Sequence, residues 1–340
     1  MSALFAASVG ALPLQLAELF TFDALSSVLF DALSKAAVYA MLAMGLTLIF
    51  GLMGVLNFAH GSLTMLGAYL GGLVMVVLVT GATGPWTRLA FFFVGLVVVF
   101  GLLSALGATL EVGLIRPLYD RPPIYQILLT FGITLVIDEL VRIVVLFYGL
   151  QPITEWQEAL GTKPYFLGQQ LVLGPVSVGG MDLFEMLLGA ATVAAVWAFL
   201  TRTRYGLVVR AGSEDAEMTE ALGIDVRRVF TTVFALGVGL AGVAGMLLMW
   251  DNNWGASVPL ATETLLPAFV VVIIGGLGTF RGTVVAAVIV GFADALAQWL
   301  FVNSVVDFPP LPQLTVFLIL VVMLVIRPQG LFGRAEVGGH

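Results

Sequence analysis

Nine apolar runs dominate this chain: residues 37–56, 62–79, 89–110, 124–148, 181–200, 229–250, 265–278, 283–301 and 314–326. A helix that crosses a membrane needs roughly 20 apolar residues to traverse a hydrocarbon core of about 30 Å. Several runs reach that length, and others are shorter or split by glycine. Only 10% of residues are charged, against 60% hydrophobic, where a soluble domain carries about 25% charged residues. A water-facing surface cannot be built from that stock. In lipid each backbone polar group must be satisfied internally, which leaves helices as the spanning element for runs of this kind. The expected fold is an all-α integral membrane protein with roughly eight to ten transmembrane helices, forming a single transmembrane domain over residues 1–340.

Several function classes drop out. The chain has no cysteine, so disulfides and cysteine-ligated metals are excluded. Its two histidines, His60 and His340, are too few for a histidine-based metal site. The net charge is −7, with Lys35 and Lys163 the only lysines, which is the opposite of a nucleic-acid-binding footprint. Residues 1–22 have no basic segment ahead of their apolar stretch, so a cleavable signal peptide is not expected. Residues 1–33 read as an interfacial helix or a short leading span.

Arginine sets the orientation, because Arg and Lys in short loops mark the cytoplasmic side. The loop 201–228 holds Arg202, Arg204, Arg210, Arg227 and Arg228, and the loop 111–123 holds Arg116 and Arg121. Arg281 follows Gly278, and Arg327 and Arg334 lie in the tail. Placing these four on one side gives a consistent alternation through the nine runs, with the C-terminus cytoplasmic. The Arg-poor segment 149–180 is then the longest outer loop.

Two stretches break their helices at membrane depth. Gly51 and Gly54 precede Asn57, His60 and Gly61, while Gly275, Gly276 and Gly278 precede Arg281 and Gly282. Non-helical backbone at that depth lines a cavity or is buried in protein. Broken segments in both halves point to a transport path, whereas glycines also serve close helix packing; both readings stand. The similar placement of the two patches suggests an internal duplication. Charges within runs form a further cluster. Asp138, Glu139 and Arg142 are spaced for pairing within one helix, which suits a structural lock as well as a function. Asp294, near Gln298, has no evident partner and is the one residue an ion-coupled transporter could use. Asp182 and Glu185 lie near a span end and read as interfacial. A membrane enzyme lacks any nucleophile–base or metal cluster to support it.

The loop 201–228 carries a short helix with sequence caps. Ser213 is a good N-cap, Glu214 and Asp215 suit the first turn, and Gly223 suits a left-handed C-terminal position before Ile224. Ala216 lies within it. Met218, Ala221 and Leu222 share a face, and a capped amphipathic helix suits docking into a groove on a cytosolic partner. The alternative, a helix lying on the membrane, is disfavoured because four acidic residues would be repelled by an anionic leaflet. No Gly-Lys-Ser/Thr stretch exists to cradle phosphate. ATP-driven transport would therefore need a separate ATP-binding chain.

The stretch Gly51-Leu52-Met53-Gly54-Val55-Leu56-Asn57-Phe58-Ala59-His60-Gly61, continued by Leu66-Gly67-Ala68-Tyr69, closely resembles the signature of the branched-chain amino-acid ABC permeases, in its LivH-type form. The loop from Arg204 through Ala221-Leu222-Gly223-Ile224, the segment Leu277–Thr283 and the segment Arg327–Gly333 are similar to that family's later motifs. The resemblance runs from about residue 30 to 334, with four motifs in order. It implies a permease subunit in the cell membrane, without catalysis of its own. Its partners would be a LivM-type second permease, two cytosolic ATPases that bind ATP and magnesium, and an extracytoplasmic binding protein. Residues 213–222 would couple to an ATPase. Relatives take up leucine, isoleucine and valine, or urea and short amides. Ser62 departs from the acidic residue frequent after His-Gly in the LivH type, and the outer loop 149–180 matches nothing in the pattern.

Overall fold

The computed structural model describes residues 17–150, 152, 156, 163–173, 176–214, 216–251 and 254–333. Each apolar run falls on a helix: α1 (Phe22–Met53), α2 (His60–Leu78), α3 (Pro85–Leu110), α4 (Pro123–Tyr148) and α5 (Gly180–Arg202) come first. Two short helices, α6 (Arg204–Glu214) and α7 (Ala216–Ala221), lead to α8 (Val226–Trp250), α9 (Leu260–Gly275), α10 (Phe280–Val302) and α11 (Leu311–Ile326). By length and composition, six of the described helices can cross a membrane: α1, α2, α3, α5, α8 and α10. The 26-residue α4 has the length and carries Asp138, Glu139 and Arg142. Helices α9 and α11 have 16 residues each. The leading segment is not separate from the first span, because residues 22–33 are continuous with it in one 32-residue helix. Thr21 caps its start, the hydroxyl accepting the Ala24 N–H at 3.3 Å, and no proline interrupts it before Gly54.

Helices α1 and α8 form the centre, and both are buried along most of their length. They approach through small residues: a side chain at Gly45 would strike the Gly237 carbonyl and the His60 ring. Helix α10 runs antiparallel to α1, since Gly291 meets Ala32 and Ala36 while Thr283 meets Thr47. Helix α3 runs antiparallel to α8, from Phe92 stacked on Trp250 at 4.5 Å to Gly107 against Val238. Helix α5 runs alongside α1, with Glu185 at Ser34 and Gly189 at Ala37. Helices α4 and α11 are peripheral, leaving Leu128, Phe131, Phe147, Val321 and Val325 exposed. Such apolar outer faces are what a hydrocarbon solvent requires. The arginines of loops 111–122 and 203–225 therefore lie at one end of the bundle, with the end of α11. Asp31, Asp182, Glu185, Asp251 and Asp294 lie toward the other.

The segment 149–180 holds the only non-helical regular structure among the described residues. A one-turn helix, Tyr165–Gly168, precedes an antiparallel hairpin of β1 (Gln170–Leu173) and β2 (Val176–Gly179), with Gln170 opposite Gly179. Trp156 is buried edge-on against Tyr69, at 5.8 Å between ring centroids, in the space that Gly72 leaves free.

Candidate functional site

The first helix break is a short extended segment between α1 and α2. Gly54 ends α1 at φ +65°, a left-handed position with open space around it, and its N–H donates to the Phe50 carbonyl. A residue with a Cβ is strained there. The chain then turns back along α1. Asn57 is buried, and its Oδ1 accepts the Ala59 N–H at 3.1 Å, closing a local turn. The buried His60 opens α2 and places Nε2 2.8 Å from the Leu42 carbonyl oxygen, midway along α1. Thr130 of α4 donates to the Leu56 carbonyl at 3.2 Å. Gly61 fits against the Ala261 carbonyl of α9.

The second break lies against the first. Gly278, at φ +76°, touches the backbone of Gly51, and Gly275 touches Gly282. Gly276, at φ +97°, meets Gly333, where Leu331 and Phe332 donate backbone N–H groups to Ile274 and Gly275. The glycines of both patches thus meet in backbone-to-backbone contact. Close approach of this kind needs glycine at the contact.

A separate cavity of about 710 Å³ opens toward the acidic end, between α1, α5, α9, α10 and α11. None of Gly54, Asn57, His60, Gly61, Gly275, Gly276 or Gly278 lines it. Asp294 does, and it is not unpaired: its Oδ1 lies 3.3 Å from Lys35 Nζ, and its Oδ2 accepts the Tyr39 hydroxyl at 2.5 Å. Lys35 also reaches Asp31, one turn earlier, at 3.8 Å. Glu185 is not interfacial either. It is 6% exposed, and its Oε2 accepts the Ser34 hydroxyl at 2.6 Å. Asp182, Gln298 and Glu263 share the lining. Asp31, Tyr39, Asp251 and Glu263 carry no assignment from sequence, and Lys35 none beyond being one of two lysines. A signal was present in one of only two lysines, standing one turn from an acid and just ahead of the first apolar run.

The charge cluster of α4 divides. Arg142 pairs with Glu139 at 3.7 Å, both more than half exposed, whereas Asp138 turns inward to accept the Ser62 hydroxyl of α2 at 2.6 Å. At the arginine-rich end, the fully buried Glu111 accepts from Arg116 Nη2 at 2.8 Å, Thr231 at 2.7 Å and Tyr119 at 2.5 Å. This knot ties the loop after α3 to α8. Glu111 closes an apolar run, and sequence alone assigns it no partner.

In the loop 201–228, the single helix expected over 213–222 is divided between α6 and α7. The first starts earlier, at Arg204, and Ser213 lies inside α6. Thr203 caps α6, its hydroxyl accepting the Gly206 N–H at 2.9 Å. Helix α7 ends at Gly223, φ +83°, with Gly223 N–H to Glu220 and Ile224 N–H to Thr219. That double closure is the Schellman arrangement. Met218 and Leu222 are exposed by 59% and 74%, and Ala221 is exposed beside them. Glu214 closes α6 and Ala216 opens α7, while Asp215 lies outside the described residues. Among the described residues, no three of His, Cys, Asp and Glu converge to hold a metal ion.

The sequence is similar to known transport proteins. LivH of Escherichia coli (strain K12), a high-affinity branched-chain amino acid transport system permease protein, is 27% identical over 315 residues, covering 91% of this chain and 96% of its own. LivM of the same organism is 26% identical over 325 residues, covering 88% of this chain and 69% of its own. Among solved structures, PsaBC from Streptococcus pneumoniae in complex with Fab is similar with a TM-score of 0.44 and 16% identity, over 96% of this chain and 97% of that one. The family model for the permease component of the branched-chain amino acid transport system matches residues 28–327. That match takes in both helix breaks, the loop 201–228 and the acidic cavity, and the chain belongs to this family of transport permeases.

Proposed function

We propose that this chain is the membrane-spanning permease subunit of an ATP-binding-cassette importer for branched-chain amino acids. The observation that carries the reading is the family match over residues 28–327, supported by relatives named as permeases of branched-chain amino acid transport. The arginine-rich end of the bundle then faces the cytoplasm under the positive-inside rule, with the C-terminus on that side and the acidic cavity opening outward. The exposed Met218 and Leu222 beside the Gly223 cap form an apolar step for a cytosolic ATPase. ATP and magnesium are bound by two such ATPases. A LivM-type second permease and an extracytoplasmic binding protein complete the complex, in the cell membrane. The chain itself has no hydrolytic role.

An ion-coupled mechanism loses its best residue, because Asp294 is held by Lys35 and Tyr39.

The test is reconstitution. In proteoliposomes with its ATPases, second permease and binding protein, the complex should accumulate leucine only when ATP is supplied on the ATPase side. The chain alone should neither hydrolyse ATP nor accumulate substrate. Uptake by the chain alone under a proton gradient would overturn the reading.

A further inference from the structure

Helix α4 meets the bundle with one side only. Thr130, Ile133 and Val141 are buried, and the opposite side carries Leu128, Gly132, Leu135, Glu139, Arg142 and Leu146. These six are spaced 4-3-4-3-4 along the chain, which sets them within about 40° of one line on an ideal helix. Leu128, Leu135 and Leu146 are 60%, 56% and 73% exposed, and a side chain at Gly132 would meet open space. Alternating steps of three and four are the spacing of a seam that packs on another helix. Glycine on such a seam admits close approach within a membrane.

Lipid would satisfy a purely apolar seam, but it does not satisfy the charges in this one. Helix α4 runs from the arginine-rich end to the segment 149–180, so it crosses the same thickness as its neighbours. It has 26 residues. At about 1.5 Å per residue, Glu139 lies about 5 Å and Arg142 about 10 Å from its middle, inside the half-thickness of about 15 Å of a hydrocarbon core. Asp138 lies at the same level, bonded to Ser62 in the first turn of α2, where His60 reaches the middle of α1. Arg142 does not snorkel toward the outer surface, because its Nε is held 3.7 Å from Glu139, one turn nearer the middle. Both side chains are more than half exposed. An exposed ion pair at that depth requires protein or water around it in place of hydrocarbon.

Few chains of the importer proposed above reach this depth. Its ATPases are cytosolic and its binding protein lies outside the membrane, which leaves the second permease. A second copy of this chain fits less well. An axis along the membrane normal would set two α4 helices parallel, with Glu139 level with its own counterpart and Arg142 level with its own. Like charges brought together across an interface are strongly unfavourable. A different permease can set a donor opposite Glu139 and an acceptor opposite Arg142.

We propose that the α4 seam from Leu128 to Leu146 is where the second permease docks, with Gly132 as the point of close helix contact and the Glu139–Arg142 pair satisfied by polar side chains of that chain. This rests on the function proposed above and adds which face of the chain the second permease covers. Asp138, tied to Ser62 on the inner side, fixes the rotation of α4 that turns the ion pair toward the partner.

The experiment uses the purified complex of both permeases with the ATPases. The photo-cross-linking residue p-benzoylphenylalanine is placed at Leu135 on the seam, or at Val97 of α3, which is 72% exposed on another helix. Irradiation should join Leu135 to the second permease and leave Val97 without a protein adduct. The double variant Glu139→Leu with Arg142→Leu removes both charges from an exposed face, so the chain alone should insert and melt as wild type. With the chain immobilised, the second permease should leave that variant at least about tenfold faster during a detergent wash, as for a lost interfacial charge contact. An adduct between two copies of this chain, equal adducts at both positions, no adduct at Leu135, or wild-type retention by the double variant would overturn the interface. The cross-link needs no turnover. A complex that cross-links at Leu135 but never accumulates leucine supports this interface and contradicts the function proposed above.

Discussion

Ser62 of α2 donates its hydroxyl to Asp138 of α4 at 2.6 Å, joining a peripheral helix to the bundle. Asp138 stands within a run of apolar residues, and α4 has few other side-chain ties to its neighbours, Thr130 to the Leu56 carbonyl being one. A hydrogen bond to a charged group contributes about 1.5–3 kcal/mol. Ser62→Ala should therefore lower the melting temperature of the purified complex by an amount corresponding to about 1–2 kcal/mol. Ser62→Asp should be worse, since two carboxylates in contact cannot both ionise. Asp138→Asn should rescue Ser62→Asp. A Ser62→Asp protein as stable as wild type would show that the pair does not tie the two helices.

The Gly54 and Gly51 positions separate backbone strain from steric contact. Gly54 has φ +65° and open space, whereas Gly51 is packed on Gly278. Gly54→Ala should cost about 1–2 kcal/mol, and Gly54→Asn less, because Asn tolerates the left-handed region. Gly51→Ala meets backbone that has no room to retreat and should block folding or assembly. Detergent-stable yield by size-exclusion chromatography reads all three, and a well-folded Gly51→Ala complex would contradict the close packing.

Leu222 is 74% exposed, so replacing it should leave the fold intact. In the proposed complex it enters a contact with an ATPase, where an unpaired carboxylate is penalised. Leu222→Asp should weaken ATPase association roughly a hundredfold, about 3 kcal/mol, with membrane insertion and melting of the isolated chain unchanged. Full co-purification of the ATPase with Leu222→Asp, and normal uptake, would remove this helix from the coupling contact.

His60 bridges the first break to the middle of α1 and does not line the acidic cavity. His60→Ala should remove the side-chain contact to the Leu42 carbonyl and leave a buried gap at the start of α2, lowering stability by about 1–3 kcal/mol. The alternative, a role in the substrate path, predicts a complex that melts with wild type, keeps binding-protein-stimulated ATP hydrolysis and loses uptake. Melting curves measured beside uptake decide between them.

Most of the architecture was legible in the sequence because hydropathy is local. The nine runs, their alternation and the Gly223 cap need only neighbours along the chain. Long-range pairing is not local, and spacing along the chain does not reveal it. Asp294 looked unpaired because Lys35 and Tyr39 lie more than 250 residues away. Glu185 looked interfacial because its partner, Ser34, is 151 residues distant. Ser213 has a residue type suited to a cap, yet it falls inside α6, which starts at Arg204, and the helix of Met218 is the separate α7. The contact of the two glycine patches was visible only as a similarity of composition. That they touch, Gly51 on Gly278, is a fact of tertiary packing.

The Asp294–Lys35–Tyr39 cluster allows a double-mutant test of structure against carriage. Asp294 is almost fully buried and Lys35 about three-quarters buried. Removing one member of a buried pair leaves the other charge without compensation, at about 3 kcal/mol or more, while removing both at once is far milder. Asp294→Asn should thus lower the melting temperature markedly, as should Lys35→Met. The combination Lys35→Met with Asp294→Asn should recover at least about 1 kcal/mol of the summed loss, the coupling expected of groups in contact. A carrier role for Asp294 predicts a different pattern. Asp294→Asn would melt near wild type, transport would vanish, and Lys35→Met would restore nothing. Thermal melting of the three variants, with ATP-driven leucine uptake measured on the same preparations, separates the two. Additive losses in melting temperature, with no coupling, would show that Lys35 and Asp294 do not hold each other in the folded protein.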